Sequence, residues 1–555
     1  MAPEQFAGIA TDAIAAYCAE YPAVATLLGN HDHDDRLGDP SKAATDRRRA
    51  ELGRVLDRLD GLTGADNPTG LDPAAAVDCD VLRTEANREL LSLGELDEPS
   101  WDALQHNPGK ALHSIIAREF APLPERLTSV AGRLRGVPDY LAAARQRLTD
   151  PPAEHVQMAI GQLAGTHALI TGEIAKLADQ AGRGAELAGG IERAAAAVLD
   201  YQGWLREQLP TARTSARLGE QSYARKLGLA LATAWQPADL LAQAYTDLAR
   251  IESELAELVA ARLGARAGRA EIAGEFARLA ADVPSNADVV DRCRDALAET
   301  TRFVEQHELL SLLHDPVEVL EMPEVDRGVA VAYCEGVGPL ETAPLRARFA
   351  VSPAPADWPD EQVRSFYREF NNHMLHNLTV HEAMPGHVEQ LSHARRYRGD
   401  TLVRAVFESS TFIEGWAVYA EELMAERGYR SEISTEAAAA VRTHQLRAQL
   451  RMVLTTILDV SYHAGDLDEA GALELMTGRG YYAQQEAAGR WRRVQLTATW
   501  PPIYYIGYLE IRGVATDLRA AHPDWTDRQL HDTMLSHGSP PARYLRTLLG
   551  LPPAA

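Results

Sequence analysis

The 555-residue chain is predicted to be mainly α-helical, on three observations. Apolar residues recur at three- and four-residue spacing through long stretches rich in Ala, Leu, Arg and Glu. Short Pro and Gly breaks such as Pro68-Thr69-Gly70 and Asp150-Pro151-Pro152 separate these stretches. Strand patterning is confined to one segment, and the overall 46% apolar and 24% charged composition is that of an ordinary globular protein. The predicted architecture is a large bundle-like helical body with one small β hairpin beside the functional residues.

Residues 1 to about 320 read as a succession of amphipathic helices. One of them enters at Pro237, a residue suited to a first helical position, and carries Asp239 in its first turn, where the helix dipole favours an acid. Between 328 and 352, GVAVAYCEGVG and LRARFAVS are β-branched or alternating runs around a Gly and Pro turn, which predicts the hairpin. Helices return from 361 onward and carry most of the chemically suggestive residues. No repeat period or low-complexity linker divides the chain, so 1–320 is expected to form a helical N-terminal region continuous with a catalytic region at 321–555.

Lys and Arg number 55 against 79 Asp and Glu, a formal charge of −24. Such a field repels phosphate backbones and anionic lipid, so neither nucleic acid nor a membrane is expected as a partner. The four cysteines, Cys18, Cys79, Cys293 and Cys334, lack C-x-x-C spacing and offer neither a zinc knuckle nor a disulfide framework. With acidic residues where a signal peptide needs basic ones and no apolar run of membrane-spanning length, the expected location is the cytoplasm.

The chemistry concentrates in HEAMPGH at 381–387, where Glu382 follows one imidazole directly and His387 lies six residues beyond His381. This is not H-E-x-x-H, whose histidines share a helix face. On a regular helix a six-residue step leaves the second side chain about 120° round and roughly 9 Å along from the first. Pro385 removes a backbone donor and Gly386 tolerates unusual dihedrals, so a break at Ala383 to Gly386 is expected to return His387 to His381. The alternative is a helix ending at Pro-Gly with two incidental histidines. A third ligand decides between them. In SSTFIEGWAVYAEELMAERG, Glu414 and Glu421 share a stripe with Ala417 and Val418, where burying a carboxylate is costly without a cation. Two histidines and Glu414 make a zinc-type set with a position open to water. Glu421 is read as a solvated charge or a residue supporting the ligands.

HEAMPGH, FIEGWAVYAE and PPIYYIGYLEIRG together resemble the domain-of-unknown-function-885 family, whose members look like relatives of helical zinc peptidases. The resemblance is strongest from 371 to 545 and extends to PAVATLLGNHDHDDRLGD near the N-terminus. It implies a deep cleft between helical halves, Zn²⁺ held by His381, His387 and Glu414, and Glu382 as general base or acid. It also points to Tyr504, three residues before Gly507, or its neighbour Tyr505, as a hydrogen-bond donor to the oxyanion, with His463 assisting. The family's Gly-Gln-Ala before that tyrosine is replaced here by Thr499-Trp500-Pro501.

His373 and His376, which no acid follows directly, are read as structural or as supporting the ligands, and His31 and His33, which could bind a metal on a loop, are read first as turn residues. Asp459 and Arg451 suggest nothing beyond helix polarity. The expected activity is a zinc-dependent hydrolase acting on a small peptide or amide. The alternatives are a divergent metalloenzyme acting on a small biosynthetic intermediate, and a binding or scaffold protein with a vestigial metal site.

Overall fold

The computed structural model describes residues 2–62, 70–322 and 331–553. Pro68 and Thr69, and positions 328–330 of the expected hairpin, lie outside the described residues. The chain is mainly helical with one small sheet. It packs as two compact units, one of Met1–Arg217, Val337–Leu345 and Arg398–Phe407, the other of Leu218–Gly336, Arg346–Tyr397 and Glu408–Ala555.

The first unit is built around helices Leu123–Arg147, Ala153–Ala168 and Gly184–Gln208. Leu127, Val130, Leu134, Val137 and Leu141 alternate at three- and four-residue spacing and bury one face against Val156, Leu163 and Val198. Buried charge in this unit is paired: Arg404 and Asp78 lie almost completely inside and bond to each other.

The second unit holds the motif residues. Its Pro237–Leu263 helix has Pro at its first position and ends on Gly264 in the left-handed region, φ 66°, as the sequence pattern implies. That helix packs along Thr435–His463, the longest helix described. Beside them stands the sheet, with strands β1 (Val317–Glu321), β2 (Ala332–Glu335) and β3 (Ala347–Val351) in the order β1-β3-β2. β2 and β3 pair antiparallel as the hairpin expectation requires. The sheet is larger than a hairpin because β1 pairs parallel to β3, in register from Val317 with Ala347 to Glu321 with Val351. β1 carries two glutamates in five residues, a composition that depresses strand propensity, and its pairing is decided by β3.

One crossing in this unit needs glycine. The helices Ser410–Glu426 and Pro502–Ala521 meet backbone to backbone at Gly415 and Gly507. A Cβ on Gly507 would lie 2.2 Å from the Thr411 carbonyl oxygen and 2.9 Å from the Gly415 Cα. The crossing fixes the residue before Gly415, which is Glu414, relative to Tyr504, one turn before Gly507. Gly507→Ala is therefore expected to destabilise the protein by about 1–3 kcal/mol or more, because neither backbone can yield. Denaturant unfolding measures this, and a variant as stable as the parent would show that the contact carries no such constraint.

Candidate metal centre

The helix Asn372–Glu382 is capped at its start by Asn371, whose side-chain oxygen accepts from the amides of His373 and Met374. It stops at Glu382, and a new helix starts at His387 and runs to Ala394. The break thus occupies Ala383–Gly386. Three contacts hold it. The Gly386 amide donates to the Val380 carbonyl at 2.9 Å, the Glu389 amide to Ala383 at 3.3 Å, and the buried Trp416 indole to Pro385 at 2.9 Å. A Cβ on Gly386 would sit 1.9 Å from the His381 carbonyl oxygen, so the chain doubles back this tightly only with glycine there.

The consequence is that His381 and His387 stand with ring centroids 4.7 Å apart and planes at 85°. From the neighbouring helix Ser410–Glu426, Glu414 directs Oε2 to within 3.4 Å of both Nε2 atoms. All three ligand atoms lie within 4.8 Å of one another. At 3.4 Å the contacts are long for charge-assisted hydrogen bonds. They match the spacing of neighbouring ligands round a tetrahedral zinc, about 3.3–3.5 Å for bonds of about 2.0–2.2 Å. The Glu414 Oε2 is buried and has no hydrogen-bond donor among the described residues. Two imidazole nitrogens and a carboxylate are the donor types zinc takes. The residues therefore fit the metal.

Glu421, two turns beyond Glu414, is buried, not solvated. It accepts from His381 Nδ1 at 2.7 Å while Asn377 Nδ2 donates to its other oxygen at 2.6 Å. A carboxylate on Nδ1 fixes the imidazole tautomer and leaves Nε2 free to coordinate. The sequence analysis missed Asn377, although it lies four residues before His381 and so on the same helix face. Glu421→Gln is expected to weaken metal binding about 10- to 100-fold. Competition with a chromogenic chelator reads this directly, and an unchanged affinity would remove Glu421 from the site.

The electrostatics are those of a site made for positive charge. Burial alone would lower the His381 pKa, but the close Glu414 carboxylate, the bond to Glu421 and the charge of Glu382 outweigh it and hold it well above the usual imidazole value. Burial likewise opposes ionisation of Glu414, yet the two imidazoles hold its carboxyl far below the usual carboxylate range. Glu382 is turned toward the sheet, where its Oε2 accepts the Cys334 amide of β2 at 3.0 Å.

The structure separates the two candidate tyrosines. Tyr505 is fully buried and its hydroxyl donates to Asp247 at 2.5 Å. Tyr504 is only partly covered. Burial, then the charges of Glu414 and Glu382, raise its pKa above the ordinary tyrosine value, so it stays protonated. His463 is not gathered with the ligands. It is buried, bonded through Nε2 to the Val494 carbonyl at 3.0 Å, and packed against Tyr223 and Tyr462. His376 bonds Tyr429 at 3.0 Å, and His373 faces Asp282 at 3.6 Å. Asp459 accepts from the Tyr223 hydroxyl and the Thr499 amide, and Arg451 pairs with Glu369 and Glu486. In the first unit His31 bridges Asp34 and Glu341 at 2.8 and 3.1 Å, and the His33 carbonyl accepts a turn bond from Arg36.

The family described as "Bacterial protein of unknown function (DUF885)" matches residues 22–549, nearly the whole chain. The chain belongs to the DUF885 family. No curated protein matches it. Among solved structures, this DUF885 chain is similar to one described as a putative lipoprotein of unknown function from Shewanella oneidensis, with 26% identity and a TM-score of 0.81. The match covers 98% of this chain and 99% of that one. A putative lipoprotein from Colwellia psychrerythraea, 15% identical, matches over 99% of both chains with a TM-score of 0.82, which shows a shared fold.

These neighbours overturn one expectation from the sequence. A cytoplasmic location is corrected by the description of both as putative lipoproteins. None of the four cysteines forms a disulfide, and three of them are buried. Thiols shielded in a core give no compartment away. Among the described residues, no helix is long and apolar enough to cross a membrane.

Proposed function

We propose that this DUF885 protein is a zinc-dependent hydrolase that cleaves a peptide or small-amide bond. The observation that carries this reading is the approach of one Glu414 oxygen to 3.4 Å from both His381 Nε2 and His387 Nε2. His381, His387 and Glu414 would hold a zinc ion, which when bound would supply Lewis acidity toward water and a substrate carbonyl. The remaining steps belong to side chains. Glu382, adjacent in sequence to His381 and kept out of the ligand set by its bond to the Cys334 amide, takes the proton of the attacking water and returns it to the leaving amine. Tyr504, held in its protonated form, donates a hydrogen bond to the oxygen on which negative charge develops. Glu421 and Asn377 keep the His381 ring in its working orientation. The similarity to the Shewanella oneidensis putative lipoprotein supports placing the activity at the cell envelope.

Metal analysis of the purified protein tests the reading, followed by a panel of short peptides and small amides. About one zinc per chain is expected, together with hydrolysis abolished by a chelator and restored by zinc. Metal-free protein that neither takes up zinc nor hydrolyses any amide would refute it.

A further inference from the structure

The chain that joins β2 to β3 contains a strap, Val337–Leu345, that belongs to the first unit. There the Leu340 amide donates to the Leu28 carbonyl at 2.8 Å, at the end of the helix Pro22–Leu28. In the turn after that helix stands His31, its ring stacked on Phe120 with centroids 3.9 Å apart and planes at 13°. Its two nitrogens address two carboxylates. Nδ1 lies 2.8 Å from Asp34 Oδ2 in the same turn, and Nε2 lies 3.1 Å from Glu341 Oε2 on the strap. A neutral imidazole has one N–H and one lone pair, so it bonds one of these carboxylates and turns a lone pair on the other. Only the imidazolium satisfies both.

The neighbours decide which contact fails when the proton leaves. Asp34 is supported without His31, since its Oδ1 accepts from the Thr26 hydroxyl at 2.6 Å and lies 3.9 Å from the Arg133 guanidinium. Glu341 also accepts the Ala343 amide at 2.7 Å, but its carboxylate is only 5% exposed and His31 is its one ion-pair partner among the described residues. The other charged or titratable groups on the elements packed round His31 are Asp32, His33, Asp35 and Arg36 in its own turn and Arg118 and Glu119 beside Phe120; none of the six pairs with His31 or Glu341. A buried carboxylate that loses its cation is costly to keep in place. We propose that His31 is a pH-operated latch: charged, it ties the strap between β2 and β3 to the turn after the helix Pro22–Leu28, and neutral, it lets the strap go. Burial opposes the charged ring, but the bonds to Asp34 and Glu341 outweigh it and hold the His31 pKa above the usual imidazole value. The stabilisation is therefore complete below about pH 6.5, the ordinary imidazole value, and is lost as pH rises through the raised one.

The test is hydrogen exchange of the full-length protein, read by mass spectrometry between about pH 5 and 9 and corrected for the intrinsic rate at each pH. Protection of the strap, which reports the Leu340 and Ala343 amides, is expected to fall about tenfold or more as pH rises through the His31 titration. The helix Leu123–Arg147 of the same unit should keep its protection throughout. Glu341→Gln should abolish the step, because a carboxamide offers both a donor and an acceptor and so suits either form of the ring. His31→Gln, which cannot titrate, should abolish it as well, and either variant suffices if the other does not fold. Strap protection that stays level in the parent, a step that persists in a folded variant, or a loss shared by the Leu123–Arg147 helix would overturn the proposal.

Discussion

Glu382→Gln is expected to retain zinc while losing hydrolysis by about 10²- to 10⁴-fold, the usual contribution of a positioned general acid or base. The substitution keeps an oxygen that can accept the Cys334 amide, so the break after the Asn372–Glu382 helix should survive. What it removes is the ability to take and return a proton. Metal content and the rate constant for a cleaved peptide are to be measured on the same preparation. Zinc lost along with activity would make Glu382 a ligand, and activity kept would exclude it as the base.

Replacing both His381 and His387 with Ala is expected to leave the protein essentially free of zinc, with Glu414→Ala losing or weakening it. Both imidazoles address the same Glu414 oxygen, and no other group of three or more His, Cys, Asp or Glu side chains among the described residues comes within ligand spacing. Removing two of three ligands leaves one carboxylate, which cannot compete with water for the ion. Elemental analysis after dialysis reads the result. Near-stoichiometric zinc in the double variant would place the metal elsewhere. Folding is to be checked by circular dichroism, because Glu414 in the absence of both histidines is a buried carboxylate without its cationic neighbours.

Much of this site is legible in the sequence because its information is local. A six-residue step from one histidine to the next, with Pro385 and Gly386 inside it, cannot form a regular helix that serves one metal, and the helix does stop at Glu382 and restart at His387. The stripe of Glu414, Ala417, Val418 and Glu421 likewise follows from helical period, and burial of Glu421 against His381 is the reason two acids share it. The parts that were not legible depend on partners distant along the chain. Asn377 looks like any polar helix residue until Glu421 lies 2.6 Å away. Tyr504 and Tyr505 are indistinguishable as neighbours in a sequence, yet a helix turns successive side chains by about 100°, and this sends one to Asp247 and leaves the other in the field of Glu414. His463 is singled out only by the family resemblance, and its Nε2 is bonded to the Val494 carbonyl. Strand β1 is short and acidic, and only its neighbour β3 makes it a strand.

The sequence by itself determined the helical class, the forced break between the histidines and the ligand types, because each of these follows from backbone periodicity and from the chemistry of residues within a few positions of one another. Only the tertiary structure decided which carboxylate faces both imidazoles, which one holds the tautomer, which tyrosine is taken up by Asp247, and that Gly415 and Gly507 let two helices touch. Those choices are made by packing between segments far apart in the chain, where a side chain's role is set by what the fold presses against it.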